Sequence, residues 1–494
     1  MGFNAEKNLF NQYEKLVVKF DEMLALQKED KKIIKELNDN IKELHNIVKS
    51  KDETNAKLLL EIERLKNQIN KDSNNSSKPP SSDSDKPGKS GPNLYNSREK
   101  TNRKIGGQRG HKGHSLTKAK VEQMINDNNL LVKEFNHHIH GKESNEIIKY
   151  KIGIEIIPYV EKHIFKCDPL HKARLPKEFY SEVTYHESVK SLCIHLGAYN
   201  VVAYERMSDF LNVVTKGSIN VSNGTLVNFL REFSKKSTDT ITNLESYLLN
   251  SNVLYTDETG AKHNKKKLTF RNYSNENIAI YKVSKKRGHS SIEGGNIINR
   301  YTGIIVGDHD TALYSYGTNN SECNVHLERY LEELTQNILD ISWPVEMKKL
   351  FRMMNQTKKI ALCYGLERFD KLKVGEYEAL FDEILELAKT ENKTIGSRYY
   401  QEKAGRLYRR LIKYKANHLL FMHEFNVPYS NNLSERDLRI LKTKTKVSGG
   451  FRSFEVAKCY ADALTIIKTA KKQNINPYDA IHSIFNKEKL FAIT

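Results

Sequence analysis

At 494 residues the chain is too long for a single hydrophobic core, and a prior of about one domain per 150 residues indicates three or so domains. Its 80 Lys and Arg outnumber 61 Asp and Glu, and the net charge of +19 favours nucleic acid as a partner, although an even spread of that charge would signify only solubility. No run reaches the roughly 18 apolar residues of a membrane span, and five scattered cysteines argue against a disulfide framework, so we expect a cytoplasmic protein without a membrane segment.

Residues 1–71 are predicted to form a long helix with a coiled-coil seam. From Ile34 onward the apolar residues recur in alternating steps of three and four, and β-branched a positions with leucine d positions favour a parallel two-stranded coil. Asn55, at an a position, is expected to fix the register of such a homodimer. The seam consists of Ile34, Ile41, Val48, Ile62 and Ile69 at a and Leu37, Leu44, Leu58 and Leu65 at d. A single helix packed on its own domain is the alternative.

Two polar segments follow this helix. Residues 72–97 are rich in Ser, Asn, Pro and Asp and are predicted to be a disordered linker, because they bury too little apolar surface to fold. Residues 98–120 form a basic, glycine-rich arm that is able to lie along phosphates or enter a minor groove. The candidate DNA contacts in this arm are Arg103, Lys104, Arg109 and Lys112. An ordinary solvated linker is the competing interpretation.

Residues 121–185 alternate short strand-like runs with His and Cys. The spacings His-x2-His and Cys-x3-His are compatible with a tetrahedral zinc site, because imidazole and thiolate are the usual ligands of structural zinc. The candidate ligands are His137, His140, Cys167 and His171. Histidines with ordinary structural roles are the alternative.

Residues 186–250 are predicted to be helical, and to serve either DNA binding or packing. Ser222 is placed to cap a helix that begins near Thr225 and carries Leu226, Phe229 and Leu230. These apolar side chains favour packing.

Residues 251–316 carry a pattern of short strands, two of which end in acids. NVLYTDETG indicates a buried strand that ends in an acid, LTFRNYS and IAIYKVS indicate two further strands, and GIIVGD indicates a fourth strand, again ending in an acid. Three strands, a helix and a fourth strand form the order expected of a ribonuclease-H-like α/β core. If strands one and four pair in parallel, Asp257 and Asp308 lie side by side, and a divalent cation would neutralise them.

A third acid comes from residues 429–470, the last part of this predicted core. The pair Asn431 and Asn432 suits a turn into a helix, on which Glu435 would complete an acidic triad. Such a triad is able to hold two Mg²⁺ ions, one activating a water or a 3′-hydroxyl and the other stabilising the departing oxygen. The same helix offers three candidate DNA contacts, Arg436, Arg439 and Lys442.

A series of sequence phrases, in order along nearly the whole chain, resembles transposases of the insertion-sequence-66 family: NSSKPPSSD, GGQRGHKGHSL, TDETG, KRG, CNVHLERYL, NNLSERDLR and KVSGGFRS. The resemblance implies a DDE-type transposase whose catalytic core is interrupted by an all-α insertion, here residues 317–428. It carries the three catalytic acids onto Asp257, Asp308 and Glu435. It also implies a zinc-finger-like module, here residues 121–185, before the core. Such an enzyme would act on the inverted repeats of its element and on target DNA in the bacterial nucleoid, as a homodimer or a higher assembly.

The chain departs from this family at the zinc-finger-like module, because the usual Cys-x2-Cys pairs are absent. The four His and Cys named above stand in their places, and either a zinc site with altered ligands or a metal-free module remains open. Cys323 and His326 supply half of a closed metal site and are predicted to pack or position close to the active site.

Three further questions stay open from the sequence. Glu258, Asp310 and Asp437 are close competitors for the catalytic positions. A non-catalytic DNA-binding or bridging protein derived from a transposase is the alternative function, and a generic structure-cleaving nuclease on the same fold is a third. Residues 471–494 are predicted to be a C-terminal tail.

Overall fold

The computed structural model describes residues 3–70, 117–127, 131–135, 148–154, 156–165, 179–488 and 491. The predicted linker of residues 72–97 and most of the basic arm lie outside the described residues. None of the helices in the described part of the chain combines the length and the hydropathy that a bilayer crossing requires.

The described chain forms fifteen α-helices and one five-stranded sheet. The helices are α1 (Phe3–Asn70), α2 (Lys118–Asn126), α3 (Glu187–Ile194), α4 (Tyr204–Val214), α5 (Asn223–Lys236), α6 (Thr238–Leu249), α7 (His289–Gly295), α8 (Asn324–Asn337), α9 (Trp343–Cys363), α10 (Lys371–Glu391), α11 (Arg398–Lys413), α12 (Lys415–His423), α13 (Asn432–Ser448), α14 (Phe454–Lys472) and α15 (Pro477–Asn486). The strands are β1 (Val253–His263), β2 (Lys266–Ser274), β3 (Ala279–Ser284), β4 (Ile304–Gly307) and β5 (Asn319–Glu322).

The chain divides into two compact units. The first comprises Met1–Lys89, Arg329–Lys349 and Leu380–Lys413, and the second comprises Ser90–Glu328, Leu350–Ala379 and Tyr414–Thr494. A helical N-terminal region therefore belongs to the first unit, and the α/β sheet with the C-terminal helices belongs to the second.

Within the first unit, α1 is a single long helix whose last turns contact α11. Ser397 Oγ donates to Glu63 Oε2 at 2.6 Å, and Tyr399 donates to the buried amide oxygen of Asn67 at 3.2 Å. All nine apolar seam residues between Ile34 and Ile69 are at least 46% exposed in the chain by itself. The polar contacts at the end of α1 therefore leave the apolar seam uncovered.

Within the second unit, the sheet has the strand order β3-β2-β1-β4-β5. β2 pairs antiparallel with both β1 and β3, while β4 pairs in parallel with both β1 and β5. Tyr255 lies opposite Val306, so the chain reaches Asp257 and Asp308 two residues beyond the same pair. The expected parallel pairing of the first and fourth strands is present.

Neighbouring residues of β2 show which helices cover which face of the sheet. Arg271 Nε donates to Ser291 of α7 at 2.9 Å, whereas Asn272 accepts from Ser434 of α13 at 2.5 Å. Because successive side chains of a strand point to opposite faces, α7 and α13 lie on opposite faces of the sheet.

The helices on either side of the sheet share one hydrophobic core with it. In α5, Ser222 caps the helix by accepting from Thr225 N at 3.1 Å, and Leu226, Phe229 and Leu230 are buried in this core. The apolar side of that helix is therefore a packing surface.

Three parts of the chain differ from the expectations. The described residues between 131 and 165 include no strand, although IIKYKIGIEIIPYV has an alternating strand-like pattern, and their apolar side chains are exposed. β5 pairs with β4 inside residues 317–428, so the sheet reaches into the segment assigned to the helical insertion. Residues 471–494 include α15, whose apolar side chains are buried, so this segment is more than a tail.

Candidate active site

Asp257 lies near the middle of β1 and not at its end as the sequence predicted, because β1 continues to His263. Side-chain amides tie the strand to its neighbours at this point. The backbone N–H of Asp257 donates to Asn272 Oδ1 at 3.1 Å, and the same oxygen accepts from Ser434. Asn431 Nδ2 donates to the carbonyl of Thr256 at 2.8 Å. Since Asn431 and Ser434 stand at the start of α13, these bonds hold the first turn of α13 against β1.

Asp308 and Glu435 approach each other across the ring of His326. Asp308 directly follows β4, His326 lies in the first turn of α8, and Glu435 lies in the first turn of α13. Asp308 Oδ1 is 3.1 Å from His326 Nδ1, and Glu435 Oε1 is 3.8 Å from His326 Nε2. The structure therefore brings acids from two distant parts of the sequence to one side of the sheet.

The electrostatics around Asp257 reflect crowding of carboxylates. Burial raises the pKa of Asp257 to about 7, and the charges of Asp308 and Glu435 act in the same direction. Burial lowers the pKa of His326, but its hydrogen bonds to Asp308 and Cys323 raise that pKa to about 11 overall. The imidazolium is thus the cation that faces these acids.

The three competing acids have strong cationic partners instead. Glu258 and Asp310 both bind the guanidinium of Arg271, at 2.8 and 2.9 Å, and Arg271 is only 2% exposed. Asp437 binds Lys472 at 2.9 Å and lies 3.8 Å from Lys468. Among the residues that the structure describes, no Lys or Arg pairs in this way with Asp257, Asp308 or Glu435.

These contrasts identify which acids are available to a cation. Glu435 Oε1 is buried and makes no hydrogen bond. Carboxylate oxygens are the ligands that Mg²⁺ prefers in proteins, so the residues fit a divalent cation at this place. Among the described residues, the group whose ligand atoms all lie within 4.8 Å of one another consists of Asp308, Cys323, His326 and Glu435, and Asp257 is not part of it.

The predicted DNA contacts have two outcomes. Arg436, Arg439 and Lys442 are exposed on α13, whereas Leu438 on the same helix is buried. The arm residues lie outside the described residues: Arg103, Lys104, Arg109 and Lys112. So do the candidate zinc ligands His137, His140, Cys167 and His171.

Sequence reasoning missed the side chains that organise the site. Arg271 stands at the centre of LTFRNYS, where a charged residue in a buried strand is itself a signal, because a buried cation requires an acidic partner. Asn272 gave no such signal. His326 was predicted to pack or position near the active site, and it stands between two of its acids.

Comparison with known proteins places these features in a family. The model of the Transposase IS66 family matches residues 183–459, which is more than half of the chain and includes the whole sheet and the three acids. A family of unknown function (DUF6444) matches residues 26–117. No match is found among curated proteins.

Proposed function

The chain belongs to the IS66 family of transposases, and we propose that it cleaves and joins DNA strands at the inverted repeats of its own insertion sequence. In this proposal Asp257, Asp308 and Glu435 are the catalytic acids of a DDE-type site and hold two Mg²⁺ ions. The observation that carries it is that these three acids, of which Asp308 and Glu435 face each other across His326, have no Lys or Arg partner in the described chain, whereas Glu258, Asp310 and Asp437 each have one.

The protein's own residues would prepare the site in two ways. Asn272 and Asn431 fix β1 against α13, so that the carboxylates of Asp257 and Glu435 are held before a cation arrives. His326 separates Asp308 from Glu435 and reduces their repulsion. The chemistry that bound Mg²⁺ supplies is activation of a water or a 3′-hydroxyl and stabilisation of the departing oxygen.

We propose a ribonuclease-H-like fold for the catalytic core. Its support is the sheet order, with three antiparallel strands followed through α7 by a parallel fourth strand, and the acids at adjacent strands. Helices α8–α12 would then form the insertion between β5 and α13. In this division β5 belongs to the first part of the core.

DNA would be bound by basic side chains at two places. Arg436, Arg439 and Lys442 lie exposed on the helix that carries Glu435, so phosphates could contact them while the scissile bond faces the acids. The arm, with Arg103, Lys104, Arg109 and Lys112, would extend the contact along the duplex. The region of residues 121–185 would be a zinc-finger-like module, with zinc on His137, His140, Cys167 and His171.

Pairing of two element ends would use the seam on α1. The exposed a and d residues and Asn55 suit a parallel homodimer, because dimerisation would remove two apolar stretches, from Ile34 to Val48 and from Leu58 to Ile69, from water. A peptide of residues 30–71 should sediment as a dimer, and Asn55→Ile should raise its thermal stability while loosening the choice of oligomer. A monomer at high peptide concentration would contradict this part of the proposal.

The decisive test of the function is strand cleavage by the purified full chain. DNA carrying the element's inverted repeats should be nicked and joined in Mg²⁺, and Asp308→Ala or Glu435→Ala should abolish both reactions while leaving end binding nearly intact. The matched control is Asp437→Ala, two residues from Glu435, since Asp437 is paired with Lys472. Cleavage by Glu435→Ala at the wild-type rate would refute the triad. Tight end binding without cleavage under any condition would favour the alternative, a non-catalytic binding or bridging protein.

A further inference from the structure

The group of four potential ligands formed by Asp308, Cys323, His326 and Glu435 has a chemistry that Mg²⁺ does not favour. Cys323 offers a sulfur, and His326 offers an imidazole nitrogen once the incoming metal ion displaces its proton; both side chains stand beside the carboxylates of Asp308 and Glu435. Mg²⁺ takes oxygen ligands, whereas Zn²⁺ binds thiolate, imidazole and carboxylate together in four-coordinate sites. One thiolate, one imidazole and two carboxylates together supply the four ligands of such a zinc site.

The surroundings of Cys323 suit a metal-bound sulfur. Its side chain is fully buried, and Sγ accepts a hydrogen bond of 3.2 Å from the backbone N–H of Asn431. Its carbonyl accepts from the N–H of His326 at 3.2 Å, which places Cys323 at the N-terminal end of α8, where negative charge is stabilised. Hydrogen bonds of this kind to a coordinating atom orient it and tune its affinity.

The distances require only a small contraction. The four ligand atoms lie within 4.8 Å of one another, and metal-ligand bonds of about 2.0–2.3 Å bring tetrahedral ligands to roughly 3.5 Å apart. Side-chain rotations that move the ligand atoms by about 1 Å would bring them to the separation of a tetrahedral site. The helices that carry Glu435 and His326 need not move, because Asn431 already links the start of α13 to Cys323.

We propose that Cys323, His326, Asp308 and Glu435 form a binding site for a thiophilic divalent cation such as Zn²⁺. Because two of its ligands are the proposed Mg²⁺ ligands, occupation of this site excludes Mg²⁺ and inhibits strand cleavage. The inhibition rests on the proposed function, whereas the binding does not.

Cobalt absorption tests the binding directly. Co²⁺ substitutes for Zn²⁺ and gives a thiolate-to-metal charge-transfer band when a cysteine is a ligand. The full chain is used with Cys167→Ser throughout, since Cys167 belongs to the other candidate zinc set. We expect the band in this chain, its loss in Cys323→Ser, its retention in Cys363→Ser, which alters an exposed cysteine, and its disappearance when Zn²⁺ is added. Absence of the band, or an equal band in Cys323→Ser, would overturn the proposal.

A second variant covers the case in which Cys323→Ser fails to fold. His326→Gln should keep the thiolate band but require at least about tenfold more Co²⁺ to reach half its intensity, and an unchanged titration would also overturn the proposal. Inhibition is then measured by titrating Zn²⁺ into the Mg²⁺-dependent nicking reaction of the wild-type chain. A chain that shows the cobalt band yet never nicks DNA contradicts the proposed function alone, and a chain that nicks without the band contradicts this inference alone.

Discussion

On the two faces of the sheet at β1 and β4, acids that are neighbours in sequence have different partners. On the face covered by α7, Glu258 and Asp310 share the buried guanidinium of Arg271. On the face covered by α13, Asp257 and Asp308 crowd together, and burial and mutual repulsion raise the pKa of Asp257. Asp257 and Glu258 therefore have different partners because a strand alternates its side chains between the two faces. Asp308 and Asp310 also have different partners, although both follow the end of β4.

The largest effect on strand cleavage should come from replacing a carboxylate of β1 by the corresponding amide. Asp257→Asn should reduce strand cleavage below detection, since a lost metal ligand costs more than the roughly 10–100-fold typical of an outer-shell substitution. Glu258→Gln should stay within that range, because it alters only the support on the other face. Cleavage rates on one inverted-repeat substrate give the comparison, and equal losses would remove the distinction between the faces.

Removal of the buried cation should produce the largest loss of stability. Arg271→Met leaves Glu258 and Asp310 without their guanidinium, and breaking a buried ion pair in this way costs about 3–5 kcal/mol. Urea unfolding of the full chain measures it. Adding Glu258→Gln and Asp310→Asn to Arg271→Met should restore part of the stability, and no restoration would show that Arg271 acts through packing.

On the face covered by α13, the stability of the protein should depend on pH through the raised pKa of Asp257. The folded pKa of Asp257 is raised to about 7, so the folded state holds a proton that the unfolded state releases near pH 4, and stability falls as pH rises between these values. Without added metal, Asp257→Asn should flatten this decline by at most about 1.4 kcal/mol per pH unit. Unfolding free energies across that pH range, compared with Glu258→Gln, test the sign, and a steeper decline in Asp257→Asn would contradict it.

The smallest change in stability should come from removing Arg287, an exposed cation near the carboxylate of Glu258. Arg287 lies 3.7 Å from Glu258 but is 67% exposed, so Arg287→Ala should change the free energy of unfolding by about 1 kcal/mol or less. The same urea experiment as for Arg271→Met measures it. A loss as large as that of Arg271→Met would mean that burial does not set the strength of these pairs.

The sequence predicted the parts of the core that depend on local pattern. The four strands first named follow from apolar runs that end near acids, and the parallel pairing of β1 with β4 follows from the helix between them. β5 was missed because NNSE lacks the apolar character of a strand. Its last three residues are nevertheless buried, where the strand pairs with β4 and contacts α12.

The contacts between side chains that are distant in sequence could not be predicted from local sequence patterns. The sequence could not distinguish Glu258 and Asp310 from Asp257 and Asp308. The distinguishing feature is their ion pair with Arg271, which depends on the packing of the folded chain. His326 could be placed near the site from its motif, but its position between Asp308 and Glu435 depends on three separate elements. The assignments of the catalytic acids, the arm and the zinc-finger-like module stay predictions.

The position of α13 late in the chain has a consequence for protein synthesis. Asn431 bonds to Thr256 across 175 residues, and the helices of the insertion are made between them. At about 5–20 residues per second, a ribosome that has completed Asp257 adds Glu435 some ten to thirty-five seconds later. A nascent chain therefore presents its strands long before it can close the site. A polypeptide released anywhere within α8–α12 has neither Glu435 nor the turn that anchors it, so an unfinished molecule lacks one of the three acids proposed to act in cleavage.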